Sequence, residues 1–406
     1  MDETRKLTGE LRELMRVLRW APAFITLLAM VALAGSCGNS IYPKVSSSSS
    51  PTPTVSPGNG NFVYATNNAD GKVSEYSRNI NTGLLKLIGT VTAGSSKGPV
   101  GLAAASGTFL YVTNEADNKV YQFAINSSSG KLGAIGGGSV AAGTSPQQVA
   151  VNPGNSSVYV TNFGTGTGAK SSLSYYTIDS ASGALGAATS VTGFSAAFGA
   201  VTTTISGTPF LYVSDELSNQ VFSFNINSGA PNQAGSPVPI SDPAGLAVDA
   251  SGTFLFAASP TTGNVYQLST GSGTASLFNL ASTGSVANLP TGVVVANPSG
   301  ANTDLIYVAL KGANTVALFT LNIVTNAIQL MTTQAATGLS APTGLAADPN
   351  GQFLYVTNNG NGTVAQFSIN ATTGALTPLS PATVATENDS GKPNPSSAPL
   401  YITIAD

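Results

Sequence analysis

Five acidic side chains sit in short polar segments where they could do chemistry: Asp70, Glu115, Asp117, Asp215 and Glu216. Each comes shortly after an apolar run that ends in Asn or Asp, which suggests a loop at the end of a strand. Grouped carboxylates can bind calcium, hydrogen-bond a polar ligand or activate water for hydrolysis. The competing interpretation is that these segments are hairpin turns, since Asn, Asp and Gly tolerate positive φ.

Other chemistries are excluded by composition. The chain has no histidine and only one cysteine, so zinc and other imidazole or thiolate sites lack ligands. Calcium is the one cofactor left open. The segment Gly94-Ser-Ser-Lys-Gly98 fits the Gly-x-Ser-x-Gly pattern of a hydrolase nucleophile, but that pattern needs a histidine base and a strand-turn-helix setting. We interpret it as a loop, and no catalytic residue is assigned.

The charge balance gives no sign of a polyanionic partner. From Cys37 onward the chain has 10 Lys and Arg against 14 Asp and Glu. Such a weakly acidic balance provides no basic surface for nucleic acid or anionic lipid. The partner we expect is an unknown protein or a small polar ligand, and we expect a monomer.

The acidic loops belong to a repeat. A short run resembling Tyr-Val-Thr-Asn occurs seven times at spacings of 44 to 53 residues. Its central aromatic residues are Tyr64, Tyr111, Tyr159, Tyr212, Phe256, Tyr307 and Tyr355. A period of this length with strand-like units is typical of a propeller blade.

Each repeat contains four strand signals. In the second repeat these are Val100–Ala105, Phe109–Thr113, Val120–Ile125 and a strand that begins at Lys131. The third strand carries Val-x-x-aromatic or a close variant, which places apolar groups on both of its faces, as expected for a sheet packed between two others. The sequence therefore predicts an all-β, seven-bladed propeller with four antiparallel strands per blade.

The two ends of the repeat region predict how the ring closes. The first repeat enters at Phe62 without the strand that opens the others. The segment 398–404 aligns with the opening strand of the last repeat, 341–347. We therefore expect the C-terminal strand to complete the first blade and remove two exposed sheet edges.

The N-terminal region reads as an export signal. An apolar stretch of 15 residues, 21–35, follows Arg16 and Arg19, and Met15 is an alternative start to Met1. The segment Leu33-Ala-Gly-Ser-Cys37 resembles a bacterial lipobox, which implies that the Cys37 thiol carries lipid. Cleavage after Ala34 to give a secreted protein is the alternative, and a buried structural cysteine is a third.

Three regions follow from these features. Residues 1–36 form a lipoprotein-type signal peptide, 37–61 a lipidated tether rich in Ser and Pro, and 62–406 the propeller. The expected location is the cell envelope, with the lipid anchoring the protein to a membrane and the propeller facing the periplasm or the exterior.

The repeats resemble the Tyr-Val-Thr-Asn β-propeller repeats, and residues 58–406 resemble the seven-bladed lactonase-like propellers. That family includes 6-phosphogluconolactonase-type and muconate-lactonising enzymes. The resemblance implies histidine, arginine and glutamate near the central channel. This chain departs from it, because histidine is absent and Arg78 is the only arginine after the signal. We expect Arg78 at a solvated strand end; the alternative is an anion anchor facing a groove.

Few aromatic side chains are left to stack on a ligand. Phe163, Phe194 and Phe198 lie in or near the irregular third and fourth repeats, outside the regular strand positions. The insertion 164–168 is expected to be an ordinary loop, with a lip over the channel as the alternative.

Two functional hypotheses remain. The first, which the missing histidine favours, is a non-catalytic binding or scaffold propeller. The second is a lactonase-like hydrolase that uses carboxylates, with or without calcium, at the channel mouth.

Overall fold

The described part of the chain is built from β-strands. The computed structural model describes residues 62–95, 97–271, 278–286, 289–298, 302–386 and 397–405. Within these residues 29 strands form seven sheets, and no α-helix occurs. Neighbouring strands of each sheet run antiparallel.

Each sheet has an inner, a second, a third and an outer strand. The inner strands, for blades 1 to 7, are β29 (Pro399–Ala405), β4 (Pro99–Ala105), β8 (Pro146–Val151), β12 (Ala197–Ile205), β17 (Leu246–Val248), β21 (Pro290–Ala296) and β25 (Pro342–Ala347). The second strands are β1 (Phe62–Asn67), β5 (Phe109–Asn114), β9 (Ser157–Asn162), β13 (Thr208–Asp215), β18 (Phe254–Ser259), β22 (Thr303–Leu310) and β26 (Phe353–Asn358).

The other two strands complete each blade. The third strands are β2 (Lys72–Arg78), β6 (Lys119–Ile125), β10 (Ser172–Thr177), β14 (Gln220–Asn225), β19 (Asn264–Ser269), β23 (Thr315–Asn322) and β27 (Thr363–Ile369). The outer strands are β3 (Leu85–Thr92), β7 (Leu132–Ala141), β11 (Thr189–Val191), β15 (Asn232–Gln233) with β16 (Val238–Pro239), β20 (Phe278–Ser285), β24 (Ala327–Ala336) and β28 (Leu376–Ala385). In blade 4 the outer strand is split in two, and both parts pair with β14.

The inner strands form a closed circle. They contact one another in the order β29, β4, β8, β12, β17, β21, β25 and again β29. The seven sheets are therefore the blades of a β-propeller around a central channel, and the predicted fold is confirmed.

The C-terminal strand closes the ring as the sequence predicts. β29 pairs antiparallel with β1, with Phe62 opposite Ala405 and Tyr64 opposite Thr403. Blade 1 thus combines the two ends of the propeller, and its inner edge is paired rather than exposed.

The hydrophobic core lies between neighbouring blades. One cluster joins Tyr64 and Val73 of blade 1 to Leu110, Val112 and Phe123 of blade 2. The predicted third-strand register is confirmed, because its two apolar positions are at most 4% exposed in every blade: Val73/Tyr76, Val120/Phe123, Leu173/Tyr176, Val221/Phe224, Val265/Leu268, Val316/Phe319 and Val364/Phe367. Burying side chains of this size contributes roughly 1.5–3 kcal/mol each.

The two faces of the ring carry different connections. We call the upper face the one with the loops from second to third strands and from outer strands to the next inner strand. The lower face has the turns from inner to second strands and from third to outer strands. Four of the five candidate carboxylates follow second strands and Asp215 is the last residue of β13, so all five lie at the upper face.

Candidate functional site

The tyrosine of the repeat holds neighbouring blades together. Its hydroxyl donates a hydrogen bond to the carbonyl of a turn glycine in the next blade. This bond occurs as Tyr64 to Gly130 (2.8 Å), Tyr111 to Gly183 (2.8 Å), Tyr159 to Gly229 (2.6 Å), Tyr307 to Gly374 (2.7 Å) and Tyr355 to Gly83 (2.7 Å). The aromatic residues that mark the repeat are therefore structural.

The threonine of the repeat fixes the inner strands around the channel. In blade 2, Thr113 Oγ1 accepts from Gly101 N at 2.8 Å and donates to the carbonyl of Gln147 in blade 3. In blade 7, Thr357 Oγ1 likewise accepts from Gly344 N and donates to Leu400 O of blade 1 at 3.0 Å. The channel wall is thus set by hydroxyl bridges between consecutive blades.

Asp215 stands where most other repeats have Asn, and it holds the upper loops. Its carboxylate accepts hydrogen bonds from the backbone N–H groups of Ser195 (2.6 Å), Ala196 (2.8 Å) and Ser218 (3.2 Å). The side chain is fully buried. In blade 2 the amide oxygen of Asn114 has the same role toward Ala116 and Asp117.

Asp117 ties two upper loops together. It accepts from Ser95 N at 3.1 Å, Ser95 Oγ at 2.9 Å and Tyr121 Oη at 2.7 Å. The Tyr121 hydrogen bond, followed by those from Ser95, lowers the pKa of this carboxyl. The loop interpretation of 94–98 agrees with Ser95, which lies between β3 and β4.

One residue directly follows each second strand and lies at the upper end of the channel wall. We call these seven positions the rim: Asn68, Glu115, Phe163, Glu216, Pro260, Lys311 and Asn359. Six have a backbone N–H that donates to the segment leading into an inner strand of the same blade, for example Glu115 to Gly98 O (2.8 Å) and Glu216 to Ala196 O (3.1 Å). Their equivalence means that the rim side chains surround one opening.

Glu115 is held in the rim by two amides. Its carboxylate accepts from Asn68 Nδ2 and Gln147 Nε2, both at 3.1 Å, and so links blades 1, 2 and 3. Asp70, in the loop of blade 1, is partly buried. The structure therefore brings Glu115 and Glu216 to the rim, and places Asp70 and Asp117 in the loops behind it and Asp215 at the end of β13.

Glu216 is the rim group whose electrostatics suit chemistry. It is partly buried, and among the described residues its carboxylate has no hydrogen-bond donor. Burial, followed by the negative charges of Asp242 and Asp215, raises the pKa of Glu216 to about 7. A carboxyl that is half ionised near neutral pH can take up and return a proton.

Two inner strands carry a side chain just below the rim, at a level where the other five have glycine. In five blades the third residue of the inner strand, or its equivalent, is glycine: Gly101, Gly199, Gly245, Gly292 and Gly344. A Cβ at Gly245 would lie only 2.3 Å from Thr291 O of the next blade. Blades 3 and 1 have Gln148 and Tyr401 at this position instead.

Tyr401 lies within electrostatic range of Glu216. Burial and the Glu216 charge raise the pKa of the Tyr401 phenol well above its usual range. The phenol therefore stays protonated and able to donate a hydrogen bond at neutral pH. Sequence analysis missed both Tyr401 and Gln148, although aligning the inner strands would have shown two exceptions among the glycines.

The three phenylalanines that lie outside the regular strand positions have two different environments. The rings of Phe163 at the rim and Phe198 in β12 pack edge to face, with centroids 6.3 Å apart. Phe194 is buried in the core, 5.0 Å from Phe222. In the insertion, Thr165 N donates to Ala169 O at 2.9 Å, which makes it a closed turn; whether it acts as a lip stays a prediction.

Below these residues the channel contains a cavity of about 290 Å³ whose lining side chains are all uncharged. It is lined by Ala103, Ala104, Val149, Ala150, Val151, Ala200, Val201, Thr202, Thr403 and Ile404. These residues belong to the inner strands of blades 1 to 4. With no charged side chain in its lining, this cavity can hold an uncharged part of a ligand but offers no acid or base.

The prediction for Arg78 is wrong. Its side chain is 3% exposed, and its guanidinium Nη1 lies 3.6 Å from Asp348 Oδ2 in the lower turn of blade 7. The residue is neither solvated nor an anchor in the channel. A buried guanidinium needs a counter-charge, and Asp348 supplies it across the boundary between blades 7 and 1.

No described group of three or more His, Cys, Asp or Glu side chains is arranged to hold a metal ion. Nor does the described region contain a helix that is long and apolar enough to cross a membrane. Cys37, the signal peptide and the tether lie outside the described residues.

Comparison with known proteins supports the fold. Residues 54–142 and 298–389 match the family described as "Lactonase, 7-bladed beta-propeller". Over these two segments the chain is similar to that family. No curated protein sequence matches it.

Solved structures of similar fold include enzymes named as lactonases. A putative 6-phosphogluconolactonase from Bacteroides fragilis has 17% identity and a TM-score of 0.69, with 88% of this chain and 100% of that chain covered. The periplasmic gluconolactonase of Pseudomonas aeruginosa has 15% identity and a TM-score of 0.67, with 85% and 99% covered. At such low identity these likenesses concern the fold alone.

Proposed function

We propose that the protein hydrolyses a lactone at the upper opening of the channel, with Glu216 as general base. The observation that carries this proposal is the Glu216 carboxyl, which has a pKa of about 7 and lies near the protonated Tyr401 phenol. The similarity to lactonase propellers favours hydrolysis over the scaffold hypothesis that sequence composition alone favours. A histidine is not required if a carboxyl already titrates near neutral pH.

The two residues divide the reaction between them. The oxygen of a water molecule bonds to the lactone carbonyl carbon while the water proton passes to Glu216. The carbonyl electron pair moves onto its oxygen, where the Tyr401 hydroxyl donates a hydrogen bond. The oxyanion electron pair then re-forms the carbonyl bond as the ring C–O bond breaks, and the ring oxygen keeps the pair of the broken bond and takes the proton from Glu216. The product is an open hydroxy acid.

The charges of the rim favour an uncharged substrate. Lys311 is the only basic side chain among the seven rim residues, and it is exposed. Bidentate recognition of a phosphate usually employs arginine, and Arg78 is committed to Asp348. We therefore propose a lactone without a phosphate group.

The test compares two carboxyls at equivalent rim positions. Glu216→Gln should lower kcat by about 100-fold or more, the usual contribution of a general base. Glu115→Gln is the matched control and should change kcat by less than about fivefold, because its carboxylate is held by two amides. In the wild type, kcat/KM should rise with pH through about 7 as Glu216 ionises.

The proposal fails if purified protein hydrolyses no member of a broad lactone panel, with or without calcium. It also fails if Glu216→Gln retains full activity. Calcium-dependent turnover would instead support the metal-assisted version of the hydrolase hypothesis.

A non-catalytic binding protein is the second candidate. It is favoured by the use of Asp117 and Asp215 to hold loops, which leaves few acids free for catalysis. Calorimetry with the same panel would support it if a ligand bound saturably and were recovered unchanged.

We also propose that lipid on Cys37 anchors the protein in the cell envelope, on the sequence evidence alone. Intact mass of the protein from the membrane fraction should show a lipid adduct, and Cys37→Ser should abolish it. An unmodified thiol in the membrane fraction would contradict this proposal.

A further inference from the structure

The glycines at the top of the channel are required by close contact between blades. A Cβ at Gly199 would lie 2.3 Å from Ala244 O, and one at Gly292 would lie 2.2 Å from Thr343 O. Real Cβ atoms do not approach a carbonyl oxygen so closely. Any side chain at this level of an inner strand is therefore an exception.

Gln148 keeps the backbone role of these glycines and adds a side chain. Its N–H donates to Thr161 Oγ1 at 3.0 Å, just as Gly101 N donates to Thr113 Oγ1 at 2.8 Å. Tyr401 N has the same bond to Thr66 Oγ1 at 3.1 Å. The inner strands of these three blades therefore make the same backbone hydrogen bond. Gln148 differs from Gly101 in the side-chain amide that it adds.

The oxygen of that amide lacks a partner within the part of the chain that the structure describes. Gln148 Oε1 is buried and accepts no hydrogen bond among the described residues. It lies 2.4 Å from the point where a Cβ on Gly101 would sit, so the side chain extends over blade 2 in space that Gly101 leaves open. Buried amide oxygens are normally satisfied, and an unsatisfied one calls for a partner such as a ligand or water.

The surroundings define what that partner would be. Tyr401 of blade 1 and Gln148 of blade 3 lie on neighbouring inner strands on either side of Gly101, and the same three strands continue into the cavity through Thr403, Ala103 and Val149. A ligand here would meet an amide and a phenol at the top and a lining without charged side chains below. An uncharged ring that carries hydroxyls suits both, since a hydroxyl can hydrogen-bond the amide and the ring brings no charge into the cavity.

We infer that Gln148 is a specificity residue whose amide hydrogen-bonds a ring hydroxyl of a polyhydroxylated ligand at the top of the channel. This inference rests on the proposed lactone hydrolysis and adds the residue that selects among lactones at the same site. Gln148 selects between ligands, and it takes no part in proton transfer. A site built to bond a hydroxyl discriminates against the analogue that lacks it.

The experiment compares δ-gluconolactone, which carries ring hydroxyls, with δ-valerolactone, which has none. Gln148→Met keeps the side-chain length and removes the hydrogen bond. It should raise KM for gluconolactone about tenfold, the change that one neutral hydrogen bond of typical net strength gives, and leave KM for valerolactone unchanged. Gln352→Met, at an exposed position on the lower face, is the matched control.

Binding is measured separately from turnover. Calorimetry with gluconate, the stable product, should show a dissociation constant about tenfold higher for Gln148→Met than for the wild type. If the wild type binds gluconate but hydrolyses nothing, the proposed function fails. Gln148 keeps its role in that case if Gln148→Met still binds gluconate more weakly than the wild type does. Equal effects on both lactones, no effect on either, or no binding of gluconate by the wild type would each overturn the inference. Thermal melting confirms that Gln148→Met is folded.

Discussion

The boundary between blades 7 and 1 and the boundary between blades 5 and 6 are held by different side-chain contacts, although the same repeat forms both. Between blades 7 and 1, Tyr355 donates to Gly83 O, Gln366 Oε1 accepts from Leu85 N at 2.9 Å, and Thr357 bridges to Leu400 O. Between blades 5 and 6, Phe256 and Ala258 take the places of the Tyr and Thr, and neither can make the corresponding side-chain bond.

The buried charges differ in the same way. Asp348 of blade 7 and Asp249 of blade 5 occupy equivalent turns, and each accepts from a phenylalanine N–H (Phe353 and Phe254) at 2.6 Å. Asp348 faces Arg78 of the next blade. Asp249 instead has Asp304 of blade 6 nearby, and burial followed by the Asp249 charge raises the pKa of Asp304 to about 6.

The difference follows from how the ring is made. The ends of the propeller must find each other within blade 1, where β29 pairs with β1, and at the adjoining boundary, where blade 7 packs against the N-terminal strands of blade 1. A missing contact there would open the ring, whereas blades 5 and 6 are enclosed by a ring that is already closed. The closing boundary is therefore the place where an ion pair and several side-chain bonds contribute most to folding.

The largest effect is expected from breaking the buried ion pair. Arg78→Met should cost about 3–5 kcal/mol in the free energy of unfolding, because it leaves the Asp348 charge buried without a partner. The double variant Arg78→Met/Asp348→Asn should recover part of this loss, since the Asn oxygen can still accept from Phe353 N. Urea denaturation measures both. Lys86→Met, an exposed change in the same blade, is the control, and a loss no larger than that of Lys86→Met would contradict the comparison.

A smaller, pH-dependent effect on the free energy of unfolding is expected at the boundary between blades 5 and 6. Asp304 has a folded pKa of about 6, above its unfolded value near 3.8, so its contribution to stability falls as the pH rises from about 4 through 6. Asp304→Asn removes this loss and should stabilise the protein by about 1–3 kcal/mol at pH 8, with little change near pH 3.5. Unfolding by urea at pH 3.5, 6 and 8 tests this. Parallel pH curves for the two proteins would show that Asp249 and Asp304 do not interact as described.

The smallest effect is expected from one hydroxyl at the closing boundary. Tyr355→Phe removes the hydrogen bond to Gly83 O and should cost about 1 kcal/mol. The same change at Tyr111, in the interior of the chain, is the matched comparison. Equal costs at both sites would mean that closure does not depend on this bond more than other boundaries do.

The fold could be predicted from the sequence because it depends on local, repeated signals. The spacing of Tyr-Val-Thr-Asn fixed the blade count, and the match between 398–404 and 341–347 predicted β29. The third-strand pattern indicated burial correctly because both faces of every blade are covered.

The candidate site was less predictable because it depends on what distant blades bring together. The sequence pointed to Glu216, but its raised pKa arises from Asp242 on the following connection and from burial. Tyr401 comes from the last strand, 185 positions after Glu216 in the chain. Arg78 was misplaced because its partner Asp348 belongs to the opposite end of the sequence.

The pairing of Phe62 with Ala405 has a practical consequence for handling the protein. Both ends of the propeller emerge on the lower face, away from Glu216 and the rim. An affinity tag or a solid support attached at either end leaves the opening free for ligands. Because the two ends lie side by side, a short peptide could also join them, and new ends could then be cut in a lower turn elsewhere.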